Sequence, residues 1–303
     1  MPEFNDPELY QSVLDVLQTG VYLVDRTRRI RYWNEGAEQI TGYLRQDVVG
    51  RFLRDHLLAS GDNVKDFDSD PDDPLSLAFR DGKPSILEVS ILHKQGYRVP
   101  IVLRTTPIRS ARGAVIGAVE SFERNRSASA WTRRQSASID FGLLDSLTGL
   151  AGRNLMETKL REHLKSFAED HIPFGILLIG VDHLDQFRAS RGPGVLPTIL
   201  RVVAQSLENC LRPTDLLGVW GENQFLVILL ECRESVVSLV GERVRKMIAR
   251  SEIEWWGDKF SVTSPVGGAG CRDGDKVEML IARAEASVKE SIGRGGNCVT
   301  VLP

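Results

Sequence analysis

The sequence predicts a two-domain α+β protein, in which each domain is a β-sheet covered by helices. Its 303 residues are roughly twice the length of a common single domain. The first 125 residues contain short strand-like segments joined by polar turns, whereas the second half alternates between strand-like and helical segments. With 42% hydrophobic residues, the chain has enough apolar side chains to form buried cores.

The composition argues against several classes of protein. The 38 Lys and Arg residues against 41 Asp and Glu give a net charge of −3, so the whole chain has no general attraction for nucleic acid or for anionic membranes. The four cysteines are widely spaced, which supports neither a structural zinc site nor a disulfide framework. The N-terminus is acidic and no apolar segment approaches the ~20 residues of a membrane helix, so we expect a soluble, cytoplasmic protein.

The first half has the pattern of an antiparallel sheet interrupted by helices. Five segments read as strands: residues 21–25, 30–33, 86–93, 98–107 and 115–123. An amphipathic helix is expected over residues 8–18, and a second over residues 35–41 with Asn34 as its N-cap and Gly42 as its end. The short connections indicate antiparallel pairing, so the pattern is typical of an α+β domain.

Residues 61–74 carry six aspartates. The spacing of Asp66, Asp68 and Asp70 fits the first ligand positions of an EF-hand calcium loop. Pro71 stands where that loop requires glycine, and no glutamate closes it. We therefore expect a solvated acidic loop.

Seven residues of the first half match a family motif that runs from a strand into the next helix: Asp25, Trp33, Asn34, Ala37, Glu38, Gly42 and Tyr43. On these residues, the segment 8–125 resembles a PAS domain. The resemblance implies a five-stranded antiparallel sheet around a small cavity, and a role in ligand sensing or dimerisation. The PAS ligand is unknown. His56 and His93 are candidate haem ligands, with a structural role as the alternative for each. A flavin–cysteine adduct is excluded, because this half has no cysteine.

Residues 126–142 are rich in Ser, Ala and Arg and differ from both halves. We interpret this segment as a linker that can be helical in part. A basic nucleic-acid patch is the alternative, but four arginines and one tryptophan around this segment are few for such a surface.

The second half alternates between helices and strands. Helices are expected over residues 153–168, 195–210, 234–250 and 276–291. Strands are expected over residues 174–181, 216–220 and 225–230 and near residues 260–266. This alternation is typical of a sheet with helices on its faces.

Three motifs connect the second half to a known family: DSLTGL at residues 145–150, Trp220-Gly221 with Phe225, and Gly295-Gly296-Asn297 with Val299. On these residues, the segment 143–301 resembles the GGDEF family of diguanylate cyclases, and we assign residues 143–303 to this domain. The resemblance implies a nucleotidyl-cyclase-type α/β sandwich with a mixed sheet. It also implies dimers that join two GTP molecules into cyclic di-GMP with metal ions held by carboxylates.

The family signature G-G-D/E-E-F is altered in this chain. It reads Gly221-Glu222-Asn223-Gln224-Phe225. Metal-dependent phosphoryl transfer needs anionic oxygen ligands, and Asn223 and Gln224 are the neutral amide counterparts of those acids. Glu222 adds bulk and negative charge where a glycine backbone should approach the phosphates.

The other positions implied by the family are altered as well. Gly180 stands at the first, metal-binding Asp of the family's Asp-x-Asp, and Asp182 matches the second. Arg188 and Pro197 stand at the guanine-contacting positions, and Ile292 stands at the phosphate-contacting Lys. The sequence therefore predicts no catalytic residue and no metal site. Asp182 and Glu222 are the residual candidates for holding one metal ion.

One set of family residues is retained, at the position of the allosteric product site. Arg212 and Asp215 form an RxxD motif five residues before the signature, and Arg243 follows Phe225 by 18 residues, at the family spacing. Guanidinium groups bind phosphate and guanine edges through paired hydrogen bonds, and Asp215 can accept from guanine N–H groups. A surface ion pair between Arg212 and Asp215 is the alternative interpretation.

These residues predict a bacterial-type signalling protein whose inactive GGDEF domain binds cyclic di-GMP through Arg212, Asp215 and Arg243. The first alternative is a nucleotide-independent scaffold for a protein partner. The second is a weakly active cyclase or a GTP-binding regulator that uses Asp182 and Glu222. A homodimer is expected in each case, because PAS domains commonly pair.

Overall fold

The structure is a computed structural model that describes residues 7–52, 73–124 and 143–302. The chain divides into two compact units, residues 1–125 and residues 126–303. Several predicted features lie outside the described residues: the aspartates Asp66, Asp68 and Asp70, the haem candidate His56, and the linker at 126–142. No helix in the described ranges is long and apolar enough to cross a membrane.

The first unit is a five-stranded antiparallel sheet in the order β2-β1-β5-β4-β3. Its strands are β1 (Gly20–Asp25), β2 (Ile30–Trp33), β3 (Ser85–Leu92), β4 (Arg98–Arg109) and β5 (Val115–Arg124). Its helices are α1 (Pro7–Asp15), α2 (Glu35–Thr41), α3 (Arg45–Val48) and α4 (Pro74–Asp81). Helix α2 packs against β1 and β5, and α4 packs against β3, β4 and β5. The predicted α+β sheet with five antiparallel strands is confirmed.

Asn34 joins the start of α2 to the sheet. Its Oδ1 accepts from the backbone N–H of Ala37 at 2.8 Å and from that of Val21 at 2.7 Å, and the residue is fully buried. Gly42, at φ 76°, ends the helix in the left-handed conformation that glycine adopts without strain. Both ends of α2 therefore lie where the sequence predicts them.

Helix α4 begins inside the segment predicted to be a solvated acidic loop. Asp73 is its N-cap: its Oδ1 accepts from the backbone N–H groups of Leu75 and Ser76. Arg28 pairs with the same carboxylate at 2.8 Å, and the Asp73 side chain is only 1% exposed. The loop prediction is wrong for residues 73 and 74, because the cap and the ion pair satisfy this carboxylate inside the protein.

The second unit has a mixed five-stranded sheet in the order β12-β11-β6-β8-β7, in which only the β11–β12 pair is parallel. Its strands are β6 (Gly175–Ile179), β7 (Leu216–Gly221), β8 (Gln224–Leu229), β11 (Val266–Gly270) and β12 (Val299–Val301), and a separate hairpin is formed by β9 (Ile253–Trp255) and β10 (Asp258–Phe260). Its helices are α5 (Arg153–Asp170), α6 (Leu184–Arg191), α7 (Val195–Cys210), α8 (Glu234–Ala249) and α9 (Val277–Gly293). Helices α5 and α9 pack on one face in a single core cluster, and α8 packs on β6, β11 and β12. The predicted mixed sheet is confirmed.

The prediction of a strand near residues 260–266 is wrong. Phe260 ends β10 and Val266 begins β11, and the residues between them belong to no strand. Pro265 lacks an N–H and cannot donate to a ladder, although its carbonyl accepts from Gly180 N–H at 3.0 Å. The chain therefore runs beside the end of β6 without forming a regular strand.

Candidate functional site

The altered signature lies on the β7–β8 hairpin. Gly221 ends β7 and Gln224 begins β8, with exposed Glu222 and Asn223 in the turn between them. Strand β8 pairs with β6, and Phe225 stands opposite Ile179. Gly180 directly follows Ile179 and Gln224 directly precedes Phe225, so the two residues lie side by side at the ends of β6 and β8. The structure thus brings together two positions where the family resemblance implies metal ligands.

Pro265 occupies the space beside Gly180. A Cβ atom built on Gly180 would lie 3.3 Å from Cγ of Pro265, which is tighter than an ordinary van der Waals contact. Gly180 itself offers no side-chain ligand. A carboxylate at this position would have to displace the proline ring by a few tenths of an ångström.

Asp182 holds the turn that follows α9. Its Oδ2 accepts from Thr263 Oγ1 at 2.6 Å and from the backbone N–H of Asn297 at 2.9 Å. Gly295, Gly296 and Asn297 have φ values of 103°, 73° and 43°, and this left-handed run directs the N–H of Asn297 at the carboxylate. Asp182 therefore anchors a turn, a role that its position in the sequence motif does not reveal.

The residues at the altered signature do not fit the metal site that the family resemblance implies. Gly180 has no side chain, Gln224 and Asn223 are neutral amides, and Asp182 already accepts two hydrogen bonds. Among the described residues, no group of three or more His, Cys, Asp or Glu side chains could hold a metal ion.

Substituting Asp182 by Ala is expected to lower the free energy of unfolding of the second unit by about 2 kcal/mol, because two donors lose a charged acceptor. Chemical denaturation measures this change. The matched control is Asp185→Ala, an exposed carboxylate in the first turn of α6, which should cost less than about 1 kcal/mol. Equal losses in both variants would contradict the anchoring role.

The three positions predicted for guanine and phosphate contacts lie on helices. Arg188 is exposed on α6, and Pro197 lies in the first turn of α7. Ile292, near the end of α9, is 58% exposed. Pro197 and Ile292 therefore present apolar side chains where the family has a carboxylate and an ammonium group.

The retained residues Arg212, Asp215 and Arg243 come from two separate elements. The turn after α7 is closed by Arg212 N–H donating to Asp215 Oδ2 at 3.0 Å and by Asp215 N–H donating to the Arg212 carbonyl at 3.0 Å. Asp215 is 7% exposed, whereas Arg212 and Arg243 are exposed. Burial raises the pKa of the Asp215 carboxyl, and the hydrogen bond from Arg212 and the charges of Arg212 and Arg243 oppose this rise. Helix α7, which ends directly before this turn, packs against α8, so Arg243 comes from the element next to the turn.

Two buried cysteines lie next to these elements in the chain: Cys210 ends α7 and Cys232 follows β8. Burial raises the pKa of Cys210 to about 12, and the Arg243 charge opposes the rise. Burial also raises the pKa of Cys232, with a further increase from the Asp215 charge. Both side chains are therefore thiols at neutral pH, which makes them weak nucleophiles.

Helix α8 also reaches the turn that Asp182 holds. Arg245 pairs with Glu242 at 2.9 Å, and its Nη1 donates to Asn297 Oδ1 at 2.8 Å. Asn297 thus contacts both Asp182 and the helix that carries Arg243. The sequence does not predict these long-range contacts, since no local pattern identifies Arg245 as a partner of Asn297.

Of the two haem candidates in the first unit, His93 is the one that lies within the described residues. Its ring stacks on Tyr97 with centroids 4.3 Å apart, and its Nδ1 accepts from Gln95 N–H at 3.1 Å. A Cβ atom on Gly42 would lie 2.7 Å from Nε2. Burial, with a contribution from the Arg124 charge, lowers the pKa of His93 to about 4. Because Nδ1 accepts a hydrogen bond, the proton of the neutral ring lies on Nε2, which also packs against Gly42, so neither nitrogen offers a free lone pair to haem iron.

A five-stranded antiparallel sheet, followed by a mixed sheet with the altered signature on its hairpin, is the architecture of a PAS domain followed by a cyclase-type domain. Residues 8–122 match the family model "PAS fold", and residues 143–298 match "Diguanylate cyclase, GGDEF domain". The chain therefore belongs to the GGDEF family of diguanylate cyclases and carries a PAS domain before the GGDEF domain.

Two curated relatives illustrate the similarity. Diguanylate cyclase A of Treponema denticola is 28% identical over 167 residues, which cover 54% of this chain and 45% of that protein. The probable diguanylate cyclase DgcE of Escherichia coli is 24% identical over 304 residues, which cover 98% of this chain and 26% of that protein. The chain thus spans less than half the length of these relatives.

Two solved structures resemble the second unit. The diguanylate cyclase SiaD of Pseudomonas aeruginosa, in complex with its activator SiaC, gives a TM-score of 0.53 at 26% identity, covering 56% of this chain and 65% of that chain. The GGDEF domain of DgcB from Caulobacter crescentus, in complex with cyclic di-GMP, gives a TM-score of 0.52 at 22% identity, and the match covers 54% of this chain and 97% of that chain. The DgcB likeness shows the fold alone.

Proposed function

We propose that this PAS–GGDEF signalling protein is a receptor for cyclic di-GMP and does not synthesise it. Its GGDEF domain is catalytically inactive and binds cyclic di-GMP at Arg212, Asp215 and Arg243. The observation that carries the proposal is the intact Arg212–Asp215 turn, which follows a helix packed against α8, the helix that carries the exposed Arg243, in a domain whose metal positions have lost their acids.

The loss of activity follows from the chemistry of the site. A phosphoryl-transfer site must neutralise charge on the phosphates with metal ions, and these ions need anionic oxygen ligands. Gly180, Asn223 and Gln224 supply none, and Asp182 is engaged by Thr263 and Asn297. Glu222 places an additional negative charge in the exposed turn.

Binding of the cyclic dinucleotide is supported by the geometry of the retained residues. Each guanidinium can form paired hydrogen bonds to phosphate or to the guanine edge and can stack on the base. The Asp215 carboxyl is fixed by the Arg212 N–H, so it can accept guanine N–H groups with little loss of side-chain entropy. The DgcB GGDEF domain was solved in complex with cyclic di-GMP, which is consistent with this ligand class for the fold.

Calorimetric titration of the full chain with cyclic di-GMP tests the proposal. We expect saturable binding at tens of micromolar or below, and we expect Arg212→Ala to weaken it by at least about tenfold, because it removes charged hydrogen bonds. Arg188→Ala is the matched control: it removes an exposed arginine at a position of the family's substrate site and should bind like the wild type.

Two results would overturn the proposal. Folded protein that gives no binding heat would favour the nucleotide-independent scaffold. Production of cyclic di-GMP from GTP and magnesium, abolished by Glu222→Ala, would restore the cyclase alternative. The sequence also predicts a homodimer, and light scattering of the same protein measures its mass; a monomer would contradict that prediction.

A further inference from the structure

A row of polar side chains crosses the buried face of the PAS sheet. Ser85 on β3 pairs with Thr105 on β4, Thr105 pairs with Glu120 on β5, and Glu120 pairs with Tyr22 on β1. Directly paired residues project on the same face of a sheet, so these four side chains are neighbours. Tyr22, Thr105 and Glu120 are at most 3% exposed.

The carboxyl of Glu120 stands at the centre of this row. Its Oε2 accepts from the Tyr22 hydroxyl and its Oε1 accepts from the Thr105 hydroxyl. At one end of the row, the Ser85 Oγ is buried without a hydrogen-bond partner in the described part of the chain. Two neutral donors stabilise a carboxylate, but they do not neutralise its charge.

The charged groups that face Glu120 come from α4 and from the β1–β2 turn. Helix α4, which packs on β3, β4 and β5, places its cap Asp73 near the row, and Arg28 pairs with Asp73. The Asp73 charge raises the pKa of Glu120 and the Arg28 charge lowers it. The other helix on β5, α2, presents only uncharged residues at its buried positions. If Glu120 ionises, the carboxylates of Glu120 and Asp73 have only the Arg28 guanidinium as a positive charge among these groups.

The space beside Tyr22 is filled by aromatic rings. The ring centroid of Tyr22 lies 5.3 Å from that of Trp33 and 5.9 Å from that of Phe122. A Cβ atom on Gly20 would lie 2.3 Å from the Phe122 ring, so the packing depends on the missing side chain. Because the rings pack closely here, a proton is the ligand that could change the charge of this row without displacing a side chain.

We propose that the Tyr22–Glu120–Thr105 row makes the PAS domain a proton-responsive unit, which is tightly packed when Glu120 is protonated and loosened when Glu120 is ionised. This inference is independent of cyclic di-GMP binding by the GGDEF domain. It assigns a signal to the PAS domain.

The direction of the response follows from linkage. Burial raises the pKa of Glu120 from 4.5 to about 6 in the folded protein. The folded state therefore binds the proton more tightly than the unfolded state, and this stabilisation is complete below pH 4.5 and is lost as the pH rises through 6. This rise in the pKa of Glu120 means that complete ionisation lowers the folding equilibrium constant of the PAS domain by about 30-fold.

Amide hydrogen exchange of the full chain, read by mass spectrometry on peptides from β1 and β5, tests the proposal. The lowered pKa of His93 in the same domain makes stability rise with pH over this range, so the Glu120 contribution is read as the ratio of wild-type protection to that of Glu120→Gln. We expect this ratio to fall about 15-fold between about pH 4.5 and about pH 7.5. The matched control Glu123→Gln changes an exposed carboxylate on the same strand, and its ratio to Glu120→Gln should fall equally.

A second variant tests the proposal if Glu120→Gln fails to fold. Thr105→Val keeps the side-chain shape but removes a hydroxyl that lowers the pKa of Glu120, so the ratio of its protection to that of the wild type should fall between about pH 6 and about pH 7.5. A ratio of wild-type to Glu120→Gln protection that is equal at both pH values would overturn the proposal. So would a ratio of Thr105→Val to wild-type protection that does not change with pH.

Discussion

Replacing Gly267 by Ala is expected to remove a large part of the stability of the GGDEF domain. A Cβ atom at this position would lie 2.3 Å from the backbone nitrogen of Val288 and 2.4 Å from the backbone oxygen of Ala284, both on α9. Backbone atoms cannot rotate away as a side chain can, so α9 would have to separate from β11. We expect the free energy of unfolding to fall by at least about 3 kcal/mol, a large part of the 5–15 kcal/mol typical of a domain.

Urea denaturation monitored by circular dichroism measures this loss. The matched control is Gly293→Ala at the end of α9, where an added Cβ would meet no atom within 4 Å. That variant should be neutral or up to about 1 kcal/mol more stable, because Ala favours helix. A Gly267→Ala variant as stable as the wild type would show that α9 can shift from β11 at little cost.

Elements with strong local signals could be predicted from the sequence. Helix α7 has the predicted bounds, since its apolar residues recur at helical spacing over 16 residues. Helix α2 also has the predicted bounds, because Asn34 and Gly42 mark its two ends through backbone chemistry alone. The β7–β8 hairpin followed from two apolar runs around a polar turn.

Elements that depend on distant partners could not be predicted. The three-residue strand β12 is defined by pairing with β11, not by its own composition. Asp73 stands among other aspartates, and its role as a buried cap depends on Arg28, 45 residues earlier in the chain. The β9–β10 turn places Trp256 at φ 52°, a conformation that large side chains rarely adopt and that a sequence pattern would not suggest.

The candidate sites divide in the same way. Motif spacing predicts the positions of Arg212, Asp215 and Arg243, whereas the burial of Asp215 and its hydrogen bond from the Arg212 N–H are visible only in the structure. Glu120 occupies an inward position of β5, but its partners Tyr22 and Thr105 lie on two other strands. Sequence spacing can therefore locate a retained motif, whereas a new polar cluster requires the register of the sheet.

Restoring the family residues at the signature is expected to restore divalent-cation binding without restoring cyclase activity. The variant combines Gly180→Asp, Glu222→Gly, Asn223→Asp and Gln224→Glu. Residues 180 and 224 lie at neighbouring strand ends, so the new carboxylates at these positions would face one site. Carboxylate oxygens are the ligands that magnesium and manganese prefer, so we expect Mn²⁺ affinity to rise at least about tenfold, measured by calorimetry.

The same variant keeps Arg188, Pro197 and Ile292, so the guanine and phosphate contacts implied by the family stay lost. Metal binding alone does not orient two GTP molecules, and positioning supplies a large share of the rate in phosphoryl transfer. The matched control replaces Gly180→Asp by Gly180→Asn, which adds similar bulk beside Pro265 but no charge, and it should bind Mn²⁺ more weakly. Formation of cyclic di-GMP from GTP by the restored variant would show that the altered signature alone blocks catalysis. Unchanged Mn²⁺ affinity would show that Pro265 and the hydrogen bonds of Asp182 already close the site to metal.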